Sequence, residues 1–380
     1  MSRVVLFEWS AGGHRPIYVR RLVEALRSSA EIVLALPQVT LDAIGDLGVE
    51  TRSIGEPGPR LPDRLRRRSV LAEEAARFRD AARLGDHALH LHADHVLVRL
   101  LAERPFPSLT SLIIYCPRAY YAAAYGTNLP AGDRPIAMAK EWALRAWRRR
   151  SDAHAVFTLD EEAARRWARY RGARAQWLPE PPVPALAPGQ RASRRDGCVL
   201  YGALAARKGV DLLAQALTLE QTQVRVVLAG EPDDSYLPEL EHHAAAMKQS
   251  GVDVDLRPHP HSEIDGLTVL ANANCAVLPY RYHAGMSRVL VEACSVGTPV
   301  VAHHFGLLGH LVRTHGLGLS VDCTDARALR DAVLTLADPT QPAAYAQALR
   351  AFCARYAPDR FRAALVSGLG LATTQLRNVS

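Results

Sequence analysis

The sequence predicts an α/β protein with two doubly wound parallel-sheet domains joined by a linker. Its 380 residues suit two domains of ordinary size. Short apolar runs alternate with longer segments of helical periodicity, a pattern typical of parallel strands covered by helices on both faces. Between the two halves, residues 178–197 are rich in Pro, Ala and Gly and have no periodic apolar pattern, which indicates a linker.

The first half begins with a βαβ unit. RVVLFEW (3–9) is a predicted strand, SAGGH (10–14) a loop, IYVRRLVEALRSS (17–29) a helix and EIVLALP (31–37) a second strand. Further strands are predicted in HALHLHAD, LTSLIIYCP and HAVFTLD. We therefore predict a first domain over residues 1–180 and a linker over 181–197.

The alternation starts again at residue 198. CVLYGAL, VRVVLAG, VDVDLRP, CAVLPY and TPVVA are predicted strands with helical segments between them, including SRVLVEACSVG, which ends at Gly297. The second domain is predicted over residues 198–358. Residues 359–380 are predicted to form a C-terminal helix that packs back on the first domain.

The composition limits the kinds of partner the protein can bind and the cellular compartment expected for it. The net charge of +7 fits an anionic ligand, an acidic membrane surface or simply an Arg-rich surface. The sequence has no RNP-like motif, no Cys/His finger spacing and no long basic run, so no nucleic acid partner is expected. Six cysteines without a CxxC pair, an N-terminus without signal features and no apolar run of membrane-spanning length predict a cytoplasmic protein.

Two predicted strand–helix loops have features of anion sites. Gly12 and Gly13 would let the backbone approach a ligand ahead of a helix N-terminus, although the GxGxxG pattern of dinucleotide sites is absent. YGALAARKGVDLL places Arg207 and Lys208 between a strand and a helix, where cations can bind a diphosphate. The ordinary alternatives are a tight turn for the Gly12–Gly13 loop and solvated loop charges for Arg207 and Lys208.

The third such stretch is YHAGMSRVLVEACSVGTPVVA, residues 282–302. Gly285 and Met286 lead to Ser287, which can cap the following helix, and free N–H groups there would face a diphosphate. Glu292 lies one turn further on, among apolar neighbours. A carboxylate in that company needs a partner, and ribose hydroxyls would serve; the alternative is a solvent-facing Glu.

The order of these elements resembles the retaining glycosyltransferases of the GT-B fold, family 4. The similarity extends over nearly the whole chain in layout and is specific from Tyr201 to about Leu319. It implies two Rossmann-like domains facing each other across a cleft. It also implies transfer of a sugar from a nucleotide diphosphate sugar to a hydroxyl acceptor, with retention of anomeric configuration and without a required cofactor or metal.

The resemblance also implies roles for individual residues. Glu292 corresponds to the ribose ligand, and Lys208 to the lysine that holds the diphosphate. The remaining correspondences are the backbone segment that meets the donor (Gly285, Met286 and Ser287), the flanks of the base (Arg257 and His259) and the first-domain glycine loop (Gly12 and Gly13).

Two residues depart from the family pattern in the second domain. Ala284 stands eight positions before Glu292, where the family has the first Glu of a pair that approaches the donor sugar. Ala203 stands in GAL where the family has Arg, and Arg207 is the expected substitute. The alternatives are therefore a protein that binds a nucleotide sugar without transferring it, as a partner subunit or regulator, and a cyclitol-transferring pseudo-glycosyltransferase in secondary metabolism.

In the first domain, LIIYCP lacks the His that many relatives present. His92, His95 or the segment 115–118 would face the sugar instead, and His92 is the predicted catalytic residue there. The histidines of HALHLHADH have no carboxylate or Cys cluster at a metal-site spacing, so no metal is predicted. UDP, GDP and ADP sugars are the donors to test, and the expected acceptor is a small molecule, a glycan or a lipid-linked molecule.

A basic segment in the first half suggests one more partner. KEWALRAWRRR (140–150) contains Trp142 and Trp147, and RLRRR (64–68) adds charge. Peripheral contact with the inner face of a membrane would suit a lipid-linked acceptor. The sequence favours the simpler interpretation, in which both tryptophans pack inward.

Overall fold

The structure, a computed structural model, describes residues 1–10, 15–56, 64–126, 129, 132–187, 189–190, 194–233 and 235–372, without the side chains of 64–68. The chain divides into two compact units. Unit 1 comprises residues 1–122, 128–182 and 357–380, and unit 2 comprises residues 123–127 and 183–356. In the described part of the chain, no helix is long and apolar enough to cross a membrane.

Unit 1 contains a parallel sheet of seven described strands in the order β3-β2-β1-β4-β5-β6-β7. The strands are β1 (Arg3–Phe7), β2 (Glu31–Leu36), β3 (Glu50–Ser53), β4 (His87–His90), β5 (Leu109–Ile114), β6 (Ala153–Thr158) and β7 (Arg174–Trp177). The helices are α1 (Arg15–Leu26), α2 (Gln38–Ile44), α3 (Arg64–Ala81), α4 (Leu97–Ala102), α5 (Arg118–Ala124), α6 (Asp133–Trp147) and α7 (Glu161–Ala168).

Unit 2 contains a second parallel sheet, of six described strands in the order β10-β9-β8-β11-β12-β13. The strands are β8 (Cys198–Tyr201), β9 (Arg225–Ala229), β10 (Asp253–Arg257), β11 (Cys275–Leu278), β12 (Val300–His303) and β13 (Gly318–Val321). The helices are α8 (Val210–Leu217), α9 (Leu237–Gln249), α10 (Glu263–Ala271), α11 (Arg288–Ser295), α12 (Gly306–His315), α13 (Ala326–Ala337) and α14 (Gln341–Cys353).

The last described helix, α15 (Pro358–Gly368), belongs to unit 1. It packs against α1 and β7. Arg362 donates to the hydroxyl of Ser28 at 2.6 Å, and Arg174 donates to the carbonyl of Ser367 at 3.2 Å. The chain thus returns to its first unit after completing the second.

The central strands of both sheets are buried because they are apolar on both faces, whereas the edge strand β3 is polar and mostly exposed. Residues 4–7 of β1 and 32–36 of β2 are fully or almost fully buried, and so are Val199 and Leu200 of β8. The predicted pair of doubly wound parallel sheets is confirmed. In each sheet the strand order reverses beside the first strand of the unit, between β1 and β4 and between β8 and β11. The carboxyl ends of strands at such reversal points are where open α/β sheets bind ligands.

The two tryptophans of α6 differ in burial. Trp147 is buried, while Trp142 is 65% exposed. The prediction that both pack inward is therefore wrong for Trp142, because its side of the helix faces away from the core that Ala143, Leu144 and Trp147 join.

Candidate functional site

The loop after β8 lies against the segment after β11 in unit 2. Lys208 ends a 3₁₀ turn, Ala206–Lys208, and Gly209 follows with φ +73°. A Cβ at Gly209 would lie 2.2 Å from the carbonyl oxygen of Pro279, so both the left-handed backbone and the close approach require glycine. The amide of Arg281 donates to the carbonyl of Arg207 at 2.8 Å. The KG step therefore fixes Lys208 beside the end of β11.

Lys208 is a buried cation, 6% exposed. Its Nζ donates to the hydroxyl of Tyr280 at 2.9 Å and lies 4.0 Å from the centre of the Tyr280 ring. An ammonium group carries three donors, and within the described residues Tyr280 accepts from one of them. The remaining donors make Lys208 suited to an anionic ligand. Arg207, next to it, is exposed.

His283 supports the segment that leads into α11. Its Nε2 lies 3.0 Å from the carbonyl oxygen of Met286. Burial, reinforced by the charge of Lys208, lowers the pKa of His283 to about 4. The ring is therefore neutral at pH 7, and Nε2 carries the proton that it donates to Met286. Sequence reasoning assigned no role to His283, which lies inside the stretch 282–302, or to Tyr280, which lies two residues before it.

The N-terminus of α11 has no side-chain cap. Ser287 occupies the N-cap position, as predicted, but its side chain makes no capping hydrogen bond. The Leu290 amide donates to the Ser287 carbonyl at 3.1 Å, while the amides of Arg288 and Val289 lack the serine side-chain oxygen that a cap normally offers. Gly285 and Met286 are buried just ahead of this helix end.

Glu292 is buried inside α11, with 5% of its surface exposed, which rules out the solvent-facing alternative. Arg288, one turn earlier, donates from Nε to Oε1 of Glu292 at 2.9 Å. A second nitrogen of Arg288 donates to Glu263 on α10 at 2.5 Å. Glu292 thus has a charged hydrogen-bond partner, Arg288, which its apolar sequence neighbours did not predict. Burial raises the pKa of Glu292, and Arg288 opposes that rise.

One oxygen of Glu292 remains unsatisfied. Oε2 is buried and has no hydrogen-bond partner among the described residues. Buried carboxylate oxygens are normally hydrogen-bonded. A ligand that brings a hydroxyl donor would satisfy this atom.

Ala284 is packed against the start of α12. Its carbonyl accepts from the amide of Leu307 at 2.8 Å, and a Cβ at Gly306, where φ is +70°, would lie 2.8 Å from the Cα of Ala284. The position that carries Glu in the family is thus held in place by its backbone and offers only a methyl group. Ala203, the other departure, is exposed.

Arg257 and His259 lie in different surroundings. The Arg257 side chain reaches back along β10 to Asp255, at 2.7 Å, and lines a cavity of about 190 Å³ with Asp196 and Arg225. Those two residues stand at the amino ends of β8 and β9, away from the edge that holds Lys208. His259 stacks on His261 with ring centres 4.4 Å apart. The structure therefore does not bring the Arg257 guanidinium to the Lys208 edge.

In unit 1, His92 follows β4 and lies close to Tyr115, with ring centres 4.9 Å apart. Gly12 and Gly13 fall outside the described residues. His90 and His95 instead flank the buried Glu74, at 3.3 and 2.8 Å. Although burial raises the pKa of Glu74, these two histidines lower it to about 2. Their contacts give them a structural role.

Three potential metal ligands lie within 4.8 Å of one another in unit 2: His303, His304 and Asp322. Nδ1 of His303 accepts from the amides of His304 at 3.1 Å and Cys323 at 3.4 Å. The Asp322 carboxylate accepts from the hydroxyl and amide of Thr324 at 2.6 and 2.9 Å. These hydrogen bonds hold the side chains of His303 and Asp322 to the loops in which they lie.

The two sheets and their connections define a GT-B type of fold. Residues 195–339 match the model of the family described as Glycosyl transferases group 1. A D-inositol 3-phosphate glycosyltransferase from Xylanimonas cellulosilytica is 31% identical over 202 residues. That match covers 51% of this chain and 48% of the relative, so the chain matches about half the length of this curated protein.

Solved structures extend the likeness to the whole chain. Sucrose-phosphate synthase from Thermosynechococcus elongatus has a TM-score of 0.63 at 20% identity, over 96% of this chain and 95% of the other. HepE from Anabaena, in complex with UDP and glucose, has a TM-score of 0.68 at 15% identity, over 97% and 100%. The fold and the predicted resemblance to group 1 glycosyltransferases are therefore confirmed.

Proposed function

We propose that the protein is a glycosyltransferase that moves a sugar from a nucleotide diphosphate sugar to a hydroxyl acceptor, with retention of anomeric configuration. One observation carries the proposal. The carboxyl edge of the unit 2 sheet combines the buried cation of Lys208, the uncapped N-terminus of α11 and the unsatisfied oxygen of Glu292. These are complementary to a diphosphate and a ribose hydroxyl.

The donor would be held at three points. Lys208, helped by Arg207 and the amides after Ser287, would bind the diphosphate, and Gly285 and Met286 would allow its close approach. Oε2 of Glu292 would accept from a ribose hydroxyl. The stacked pair His259 and His261 offers an aromatic surface for the base. Arg257 would take part only if it left Asp255.

Catalysis would depend on charge and position. As the bond between the anomeric carbon and the diphosphate breaks, negative charge grows on the leaving group. Lys208, Arg207 and the α11 N-terminus would stabilise that charge. We assign acceptor binding to unit 1, with His92 as its sugar-facing residue, and donor binding to unit 2. The proposed chemistry needs no additional cofactor and no strong side-chain nucleophile.

A second function is favoured by Ala284. Its methyl group cannot make the polar contact that a Glu would make to the donor sugar. We therefore keep the alternative of a protein that binds the nucleotide sugar without transferring it. A pseudo-glycosyltransferase acting on a cyclitol is the related enzymatic variant.

The experiment that tests the proposal has two stages. Calorimetry with UDP, GDP and ADP should show binding of at least one, and failure with all three would contradict the donor site. A panel of donor sugars with mixed hydroxyl acceptors should then release nucleoside diphosphate. Proton NMR of the product gives the anomeric configuration. Binding without acceptor-dependent release would favour the non-catalytic alternative, and inversion would exclude the retaining mechanism.

Contact with a membrane surface is also proposed, for α6. Ile136, Met138 and Trp142 are exposed on this helix. Arg134 and Arg145 lie on the same helix. Apolar side chains next to cations suit an anionic lipid surface.

A further inference from the structure

A cavity of about 270 Å³ opens within unit 1, at the carboxyl ends of β1, β4 and β5. Its lining includes Glu8, Arg15, Tyr18, Leu91, His92 and Tyr115. The volume lies just below the roughly 300–1,000 Å³ typical of small-molecule sites. It suits a ligand of about one sugar ring. The carboxyl edge of the sheet is the expected place for such a site.

The charges on one side of this cavity are balanced. Glu8 is buried, 3% exposed, and its Oε1 accepts from the amide of Ser10 at 2.8 Å. The guanidinium Nε of Arg15 lies 3.6 Å from the same oxygen. The cation of Arg15 therefore already faces a carboxylate, and the pair adds no net positive charge for a phosphate group.

On the other side of the cavity, the carboxylate of Asp94 lies near His92. Arg15 lies 3.4 Å from Nδ1 of His92, and Asp94 lies 3.7 Å from Nε2. Because Arg can only donate, Nδ1 is the acceptor, and the ring proton points towards Asp94. Burial lowers the pKa of His92 despite Asp94 and Glu8, so the ring is neutral at pH 7. Asp94 lies behind the imidazole, where its two oxygens accept from the amides of Tyr115 and Cys116 at 2.8 Å. Among the described groups, the lining therefore has one carboxylate and one guanidinium, with a second carboxylate behind His92.

The remaining lining suits a sugar-like molecule. Tyr18 and Tyr115 place their rings 5.7 Å apart, and burial raises the pKa of Tyr115, so its hydroxyl stays neutral. Aromatic faces pack against C–H groups of a sugar. The hydroxyl of Tyr115, the imidazole of His92 and the carboxylate of Glu8 are partners for ligand hydroxyls. A phosphate would bring like charge beside Glu8 and Asp94, which costs binding energy.

We propose that this cavity binds the acceptor and selects an uncharged polyol or monosaccharide over its phosphorylated form. The inference rests on the proposed glycosyltransferase function, which it deepens by naming the acceptor class. It sets this chain apart from the curated relative, whose name specifies a phosphorylated inositol.

The first test compares matched acceptors on the full-length protein. The pairs are myo-inositol with inositol 3-phosphate and glucose with glucose 6-phosphate. Saturation-transfer NMR detects their binding without any donor, and nucleoside diphosphate release reports transfer. The neutral member of at least one pair should bind and react at least about tenfold better, as expected for like-charge rejection. Preference for the phosphorylated members, or binding of neither member, would overturn the inference.

The second test alters the charge of the cavity. Glu8→Gln leaves Arg15 without its carboxylate and should shift the selectivity towards the phosphorylated member by about tenfold or more. Glu31→Gln removes an exposed carboxylate that pairs with Arg3 outside the cavity and should leave the selectivity unchanged. If Glu8→Gln does not fold, the wild-type comparison still decides.

The proposed glycosyltransferase function and the proposed acceptor class can be disproved separately. A neutral polyol that binds, in a protein that neither binds a nucleoside diphosphate nor releases one, would disprove the glycosyltransferase and leave the cavity assignment standing. Transfer to phosphorylated acceptors alone would keep the glycosyltransferase and disprove the acceptor class.

Discussion

Arg288 donates a hydrogen bond of 2.9 Å to Oε1 of Glu292, and Oε2 of the same carboxylate has no partner in the described part of the chain. Both side chains are buried. A buried polar atom without a partner costs about 1–3 kcal/mol. A ligand hydroxyl that donates to Oε2 would remove this cost, which supports the proposed ribose contact at this point.

Glu292→Ala should weaken nucleotide binding, because it removes the proposed acceptor of a ribose hydroxyl. The loss should be about 1.5–3 kcal/mol, or roughly 10- to 150-fold in Kd. Calorimetry with the nucleotide and with its 2′- and 3′-deoxy analogues checks this. At least one analogue should bind more weakly to the wild type but equally to the variant. Glu239→Ala, which changes an exposed side chain on α9, is the control. Equal Kd values for Glu292→Ala and the wild type would refute the assignment.

Lys208→Met should lower turnover more than substrate binding, because the lost cation would stabilise charge that grows as the sugar leaves. Removing one such group typically costs about 10²–10³ in kcat. Steady-state release of nucleoside diphosphate checks this. Lys248→Met, on the exposed end of α9, should behave like the wild type. An unchanged kcat in Lys208→Met would exclude the leaving-group role.

The alternation of strand and helix is enough to predict the central strands of both sheets, since these are apolar on two faces and that property is local in sequence. The strands β3 and β7, ETRS and RAQW, are polar and partly exposed, so the sequence does not predict them. Lys208 and Gly209, like the central strands, are recognisable locally, because the turn needs glycine where it passes Pro279. These parts of the site follow from short stretches of chain.

Other parts of the site depend on contacts between distant residues. Glu263 meets Arg288 from a different helix, and no periodicity links the two. The neutral His283 follows from burial next to Lys208, which only the folded loop reveals. The Arg257 side chain turns back to Asp255, although the family resemblance implied that it flanks the base.

Stability should fall as the pH drops from about 6.5 towards 4, partly because of His283. Its folded pKa, about 4, lies below the ordinary value of 6.5, so the unfolded state binds the proton first in this window. The stabilisation is complete above 6.5 and is lost on acidification, with an upper limit of about 3.4 kcal/mol. His87, whose pKa burial lowers to about 3, acts in the same direction.

His283→Gln keeps a donor for the Met286 carbonyl but does not titrate. Urea midpoints measured at pH 7, 5.5 and 4.5 should therefore fall less steeply in this variant than in the wild type. Parallel curves for the two proteins would show that His283 is not a source of the acid sensitivity.

Trp142→Ala should reduce binding to anionic vesicles if α6 meets a membrane. The ring is 65% exposed, so its removal should hardly change the thermal midpoint. Co-sedimentation with vesicles containing phosphatidylglycerol, compared with vesicles of phosphatidylcholine alone, measures the effect. Val98→Ala, another exposed apolar side chain outside α6, is the control. Absence of wild-type binding to both vesicle types would disprove the membrane contact.

Gly306→Ala should damage the donor site through Ala284. Both Gly306 and Gly316 have left-handed backbones, with φ of +70° and +62°, so alanine costs each about 1–2 kcal/mol in strain. Only at Gly306 would the new Cβ also meet the chain, 2.8 Å from the Cα of Ala284; at Gly316 nothing lies within 4 Å. Gly306→Ala should therefore lower the urea midpoint further and also weaken nucleoside diphosphate binding, because the displaced Ala284 precedes the segment that we propose binds the diphosphate. Gly316→Ala should leave calorimetric affinity intact, and equal effects of the two variants on affinity would show that the packing of Ala284 against Gly306 does not position the donor site.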